Sequence, residues 1–123
     1  MQRGLTPCVL VIGYSPKPTD SGGSAIGIIL VDRTGSPGKI LKARFLNDWS
    51  QFASRYPRAD LEVVKAIADE IKDRSTNGSN PESLLASIKS FSNTLTVLAE
   101  ERIPADDLDS SFEAVAGRFG LAA

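Results

Sequence analysis

Residues 25–50 constrain the fold more than any other part of the chain. An apolar run over residues 25–31 is followed by a turn that contains Gly35, Pro37 and Gly38, and then by a second extended run from Lys39 to Phe45. Two extended runs joined by a turn rich in Gly and Pro predict a β-hairpin. The second run leads into Asn47-Asp48-Trp49-Ser50, where a side-chain oxygen can cap a short helix. The segment therefore predicts a hairpin that feeds a helix.

Residues 9–12 form a third extended run, Val-Leu-Val-Ile, which is continuously apolar and mostly β-branched. Such a run is typical of a strand that is covered on both faces. Residues 93–98, with two Thr and a Val, are a candidate fourth strand. The connection over residues 15–24 is rich in Pro, Gly and Ser, and we expect it to be a loop.

Three further helices are predicted from caps and from apolar residues at helical spacing. The first follows Asp60 and places Val64, Ala68 and Ile71 on one stripe, and the second follows Asn80-Pro81. The last begins at Asp106 or Asp107 and ends before Gly120, a residue that commonly terminates helices.

Strands thus come first and helices follow, which favours an α+β fold with an antiparallel sheet that helices cover on one face. We expect a small antiparallel sheet of three to four strands with three to four helices packed on it. At 123 residues, with 41% apolar and 24% charged side chains, the chain has the size and composition of a single domain, residues 1–123, with one core.

The third strand alternates in polarity. Leu41, Ala43 and Phe45 share one face, whereas Lys42 and Arg44 share the other with Ile40. We therefore expect one face to be wet and the strand to lie at an edge, where a partner can reach Lys42 and Arg44.

Trp49 allows two interpretations. It can close the end of the sheet against Phe45 and Phe52, or it can anchor an interface, because Trp, Tyr and Arg carry much of the binding energy of protein complexes. The residues predicted to bind a partner are Lys42, Arg44, Asp48, Trp49 and Tyr56.

The chain has no histidine and only one cysteine, Cys8, which removes the commonest general base, zinc clusters and disulfides inside the chain. We predict no catalytic residue, no metal and no cofactor, and a cytoplasmic protein without membrane association. A carboxylate- and metal-dependent hydrolase that uses Asp20, Asp48 or Asp106 remains an alternative. Nucleic-acid binding through Lys42, Arg44, Arg55 and Arg58 is a weaker one, because 14 basic residues are balanced by 15 acidic ones.

Several short segments carry a resemblance to a known family: Ile26-Gly27-Ile28-Ile29-Leu30, Lys42-Ala43-Arg44-Phe45, Asp48-Trp49, Ala59-Asp60-Leu61-Glu62, Ser92-Asn93 and Asp106-Asp107. Together they resemble a bacterial domain-of-unknown-function family, number three thousand and thirty-seven, over most of the chain. Members of that family are often encoded beside HipA-like kinases. The chain departs from the family pattern at residues 15–25, so no role of that loop is carried over.

The resemblance implies a toxin–antitoxin context, and Arg44-Phe45 with Asp48-Trp49 also resembles the small N-terminal subdomain of HipA-type toxins. We therefore expect a non-catalytic protein-interaction module, the partner or regulator of a HipA-like kinase, in which homo-oligomers remain open.

Overall fold

The protein forms a four-stranded antiparallel sheet with four helices, as seen in a computed structural model. The residues that the structure describes are 7–15, 24–33, 38–57, 60–76, 80–91, 95–104 and 106–121. The strands are β1 (Pro7–Tyr14), β2 (Ser24–Asp32), β3 (Lys39–Phe45) and β4 (Leu95–Arg102). The helices are α1 (Ser50–Arg55), α2 (Leu61–Thr76), α3 (Pro81–Phe91) and α4 (Leu108–Arg118). The predicted α+β class is confirmed, and so is the predicted order of elements.

The strand order is β3-β2-β1-β4, so the two apolar strands lie in the centre and β3 and β4 form the edges. β1 pairs with β2 and with β4, and β2 pairs with β3, all antiparallel. Central strands lie between two neighbours and under helices, which accounts for the unbroken apolar sequence of β1, buried along its whole length.

Each face of the sheet has its own core. The first face packs against α1, α2 and α3, and its cluster includes Leu10, Ile29, Phe52, Ile71 and Ile88. The second face packs against α4 and against Leu121, which follows the end of that helix. Helices therefore cover both faces, rather than the single face that the order of elements suggested. Successive side chains of β1 and β2 point to opposite faces of the sheet, so these two strands contribute to both clusters.

The predicted caps are confirmed at α2 and α3, whereas at α1 and α4 the residue directly before the helix makes no side-chain capping hydrogen bond. The Asp60 side chain accepts a hydrogen bond from the Val63 backbone N–H at 3.3 Å, and Asn80 accepts one from Ser83 at 2.8 Å. Both side chains satisfy a backbone donor in the first helical turn. Asp107 directly precedes α4. No helix in the described part of the chain is long and apolar enough to cross a bilayer.

Two strand predictions need correction. Ile40 packs with the first-face cluster, as Ala43 and Phe45 do, rather than sharing a face with Lys42. The cause is an irregularity in the register: Lys42 pairs with Leu30 but Ile40 pairs with Val31, which leaves Leu41 as an extra residue with 43% of its surface exposed. The fourth strand also runs on to Arg102, four residues beyond its predicted end.

Candidate protein-interaction surface

The chain that follows β3 is held in place by two hydrogen bonds, one between backbone groups and one to a side chain. The Leu46 N–H donates to the Ile26 carbonyl at 2.9 Å, which extends the β2–β3 ladder by one residue. The Asp48 carboxylate accepts a hydrogen bond from the Ser50 N–H at 3.0 Å, which fixes the turn that leads into α1. The backbone and side-chain hydrogen bonds from Ser50 lower the pKa of Asp48, so the exposed carboxylate is ionised at neutral pH.

The C-terminal end of α4 lies beside the same segment. Gly120 has a φ of 75°, the left-handed conformation that glycine adopts most readily. The Leu121 N–H donates to the Ala116 carbonyl at 2.7 Å, and the Gly120 N–H donates to the Gly117 carbonyl at 3.3 Å. This pair of bonds is a Schellman motif, and it turns Leu121 back into the second-face core, where it is buried.

Two depressions meet at this corner of the molecule. The α1 cleft has a volume of about 460 Å³ and the β3 groove one of about 370 Å³. The α1 cleft is lined by Ser24, Ala25, Leu46, Asp48, Gln51, Phe52, Arg55, Arg118, Phe119 and Gly120. The β3 groove is lined by Lys42, Ala43, Arg44, Phe45, Leu46, Asn47, Asp48, Lys72, Gly120 and Leu121. Because both contain Leu46, Asp48 and Gly120, we treat them as one continuous feature, the edge surface.

The β3 groove runs around the edge of the sheet. Lys72 belongs to α2, which packs on the first face, whereas Leu121 follows α4 and packs on the second face. A depression that touches elements on opposite faces, with β3 between them, has to pass around the end of that strand. The strand order confirms the edge position predicted for β3, and the lining residues show that this edge is part of a concave surface.

Lys42 and Arg44 hold α4 against the second face. Both guanidinium ends of Arg44 donate to the Glu113 carboxylate, each at 2.6 Å. The Lys42 ammonium lies 3.6 Å from Asp109 and 3.9 Å from Glu113. The hydrogen bonds from Arg44 lower the pKa of Glu113, and those to Glu113 raise the pKa of Arg44.

The same two cations also cover an aromatic ring. The centre of the Phe112 ring lies 4.8 Å from the Lys42 ammonium and 5.3 Å from the Arg44 guanidinium carbon. Phe112 itself is fully buried. The strand face that was expected to be wet is therefore covered by α4, and the side chains of Lys42 and Arg44 keep 38% and 21% of their surface exposed.

Trp49 and Tyr56 belong to an aromatic cluster around α1. The Trp49 ring lies 5.3 Å from that of Phe52, and the Tyr56 ring lies 5.1 Å from Phe52 and 4.9 Å from Tyr14. These spacings are typical of favourable edge-to-face and tilted ring pairs. The Tyr56 hydroxyl accepts a hydrogen bond from Ser24 at 3.1 Å. Trp49 and Tyr56 are only partly buried, so each ring has one side in the core and one at the surface.

The structure thus divides the five predicted residues into two groups. Lys42, Arg44 and Asp48 line the β3 groove, whereas Trp49 and Tyr56 lie in the aromatic cluster beside the α1 cleft.

Sequence reasoning missed Lys72 and Arg118 as lining residues. Lys72 lies on the water-facing side of α2, and Arg118, which forms an ion pair with Glu101, lies at the end of α4. No local pattern distinguishes either residue from an ordinary solvent-exposed cation.

The carboxylates proposed for a metal-dependent hydrolase do not come together. Asp48 lies near the C-terminal end of α4 and Asp106 precedes its N-terminus, so the length of the helix, about 16 Å for 11 residues, separates them. Asp20 lies outside the described residues. Within the ranges that the structure describes, no group of three or more His, Cys, Asp or Glu side chains could hold a metal ion.

The cations proposed for nucleic-acid binding are only partly accounted for. Arg55 is exposed at the α1 cleft, Arg44 is paired with Glu113, and Arg58 lies outside the described residues.

Cys8 is buried with 2% of its surface exposed, and burial raises the pKa of its thiol, which makes it a poor nucleophile at neutral pH.

Comparison of the chain with family models, with curated proteins and with solved structures finds no match. The resemblance to the bacterial family of unknown function therefore stays a prediction.

Proposed function

We propose that this protein is a non-catalytic protein-interaction module that binds a partner protein through the edge surface. We further propose that the partner is a HipA-like kinase, which the protein regulates by binding. The kinase is the finer part of the proposal and depends on the resemblance, whereas the binding surface depends on the geometry.

One observation carries the proposal: partly exposed aromatic rings that pack on Phe52 lie directly beside the edge surface, which is itself lined by cationic side chains. Trp49 and Tyr56 present partly exposed rings, and the Arg55 guanidinium carbon lies 5.6 Å from the Tyr56 ring centre. Trp, Tyr and Arg are the residue types that most often carry the binding energy at protein interfaces.

The surface around these side chains is also fixed rather than loose. Phe52, at the centre of the aromatic cluster, is 4% exposed and contacts the rings of Tyr14, Trp49 and Tyr56. A rigid anchor loses little conformational entropy when it binds, so more of its contact energy appears as affinity.

The test measures the affinity of the purified protein for a HipA-like kinase from the same organism, by isothermal titration calorimetry. We expect saturable binding that weakens at least about tenfold in Trp49→Ala and in Arg55→Glu, as is usual for interface anchors. The matched control is Arg102→Glu. Arg102 is exposed on β4 and pairs with Cys8, at the opposite edge and the opposite end of the sheet.

Arg44 is unsuitable for this test because its removal would disturb α4. If the kinase does not bind, the proposed partner is wrong. If it binds and both Trp49→Ala and Arg55→Glu retain full affinity, the proposed surface is wrong.

A further inference from the structure

We propose that the edge of β3 receives an extended acidic segment of the partner protein, which adds to the sheet as a fifth strand. This inference rests on the proposed function, because it states how the partner is recognised at the edge surface. Strand addition of this kind derives affinity from backbone hydrogen bonds and specificity from alternate side chains.

The backbone of β3 presents hydrogen-bonding groups at this edge. The Leu46 N–H donates to Ile26 on β2, and the direction of hydrogen bonding alternates along an antiparallel strand. The N–H and C=O groups of Ala43 and Phe45 therefore point away from β2. Among the described strands, only β2 pairs with β3, so these groups face the open edge.

The residues that line the β3 groove include those that an added strand would contact. It follows β3 from Lys42 to Phe45 and continues along the next three residues. Its walls come from Lys72 on the first face and from Gly120 and Leu121 on the second face. Those walls would contact the alternate side chains that an added strand directs toward each face.

The charges of the groove favour acidic side chains. Three cations, Lys42, Arg44 and Lys72, line it together with one carboxylate, Asp48, in a chain whose formal net charge is −1. Arg44 and Lys42 already form ion pairs with Glu113 and Asp109 of α4. The side chain of Lys72 is exposed, so it is the cation best placed to pair with a partner. Charge complementarity of this kind sets partner choice and orientation at interfaces.

The same charges argue against pairing of two copies through β3. Two β3 edges in contact would place Lys42 and Arg44 of one copy close to the same cations of the other, and like charges across a ladder are destabilising. An acidic segment of another protein is therefore the occupant that the charges select.

The experiment uses capped, fluorescent peptides of about ten residues, the length of a typical long strand. In the first peptide Glu alternates with Val, in the second Gln replaces Glu, and in the third every backbone nitrogen of the Glu peptide is methylated, because alternate N–H groups point to opposite edges of a strand. Fluorescence anisotropy with the full chain should show that the Glu peptide binds at least about fivefold more tightly than the Gln peptide, since charged pairs add affinity. The methylated peptide, which cannot complete the ladder, should not bind.

Two substitutions locate the binding. Ala43→Pro removes an N–H that points away from β2, and proline is tolerated at such edge positions, so the fold should persist. We expect Ala43→Pro to weaken the binding of the Glu peptide at least about tenfold, because a hydrogen bond is lost and the proline ring is added at the edge. Ala43→Val, which keeps the N–H, is the matched control. Lys72→Glu should weaken the Glu peptide without touching the backbone of β3.

Equal binding of the methylated and unmethylated Glu peptides would overturn strand addition, and so would full affinity in both Ala43→Pro and Lys72→Glu. Absence of any Glu-peptide binding would also overturn it, even if the kinase binds. A concentration-dependent dimer in sedimentation that Lys72→Glu abolishes would assign the edge to a second copy instead. Failure of the kinase to bind, with the peptide results as expected, would overturn only the identity of the partner.

Discussion

The two faces of the sheet are covered in different ways. The first face carries three helices and a cluster that includes five aromatic side chains, Tyr14, Phe45, Phe52 and the partly buried Trp49 and Tyr56. The second face carries α4, whose one fully buried aromatic residue is Phe112. Around Phe112 the helix is fixed by the charged pairs that Lys42 and Arg44 make with Asp109 and Glu113.

The difference shows how one edge strand can contact the elements on both faces of the sheet and still keep part of its edge open to a partner. Ile40, Ala43 and Phe45 of β3 contribute to the first face, whereas Lys42 and Arg44 fix α4 on the second face. The two coverings meet around the end of β3, and the β3 groove lies where they meet. The candidate binding surface thus lies where the elements that cover the first face meet those that cover the second face.

The largest expected effect comes from Phe112→Ala on the second face. Loss of a fully buried Phe costs about 3 to 5 kcal/mol of unfolding free energy. We expect this loss in urea unfolding, because the Phe112 ring is fully buried in the second-face cluster. Ile88→Ala provides the comparison on the first face, with an expected loss of about 2 to 5 kcal/mol. A loss below about 1 kcal/mol in Phe112→Ala would show that α4 does not depend on this side chain.

The next effect concerns two glycines on opposite faces. A Cβ on Gly27 would lie 2.3 Å from the Phe45 ring, so Gly27→Ala should displace that ring and destabilise the protein by about 1 to 3 kcal/mol. A Cβ on Gly117 of α4 meets nothing within 4 Å, so Gly117→Ala should stabilise the helix by about 0.5 to 1 kcal/mol. Thermal unfolding of both variants measures the two signs, and equal signs would contradict the packing of Phe45 over Gly27.

A smaller effect is the pH dependence of the link between β3 and α4. Because Arg44 lowers the pKa of Glu113 in the folded protein, the ionised carboxylate stabilises the fold at neutral pH. That stabilisation is fully present above the ordinary pKa of Glu and is lost as the pH falls through the lowered folded value. The difference in urea midpoint between the wild type and Glu113→Gln should therefore be positive at neutral pH and vanish in acid. High salt should reduce the difference at neutral pH.

The control for this prediction is Asp69→Asn, which removes an exposed carboxylate of α2. It should leave the midpoint nearly unchanged at each pH. A difference for Glu113→Gln that does not depend on pH would mean that the ion pair does not hold α4.

The smallest expected effect is that of divalent cations. Asp48 and Asp106 lie at opposite ends of α4, so neither carboxylate can join the other at one ion. We expect the thermal midpoint to stay constant as Mg²⁺ or Mn²⁺ is added, because a ligand stabilises a protein only if it binds the folded state more tightly. A midpoint that rises with the logarithm of the metal concentration would restore the hydrolase alternative.

Sequence patterns predicted the order of elements because the signals involved are local. Continuous apolar runs distinguish central strands, and Asp60, Asn80 and Gly120 mark helix ends through hydrogen bonds within a few residues. The covering of both faces was harder to predict, since nothing local states which face a helix selects. The register irregularity at Leu41 was also missed, because it depends on the pairing of β3 with β2.

The candidate site was predictable only in part. Lys42 and Arg44 were identified from strand alternation, but their ion pairs with α4 join residues far apart in the chain, and Arg44 is 69 positions from Glu113. The contribution of Lys72 to the β3 groove depends on how α2 packs against β3. A single sequence carries no signal for contacts of that separation.

The most direct test of this account is hydrogen exchange of the backbone amides, measured by NMR on the protein alone and on the protein saturated with the HipA-like kinase proposed as its partner. We predict that the amide protons of Ala43 and Phe45 exchange more slowly in the complex, whereas those of β4 are unchanged, since new backbone bonds at the β3 edge would protect them. A saturated complex in which Ala43 and Phe45 exchange as fast as in the free protein would contradict the claim that the partner binds at this edge.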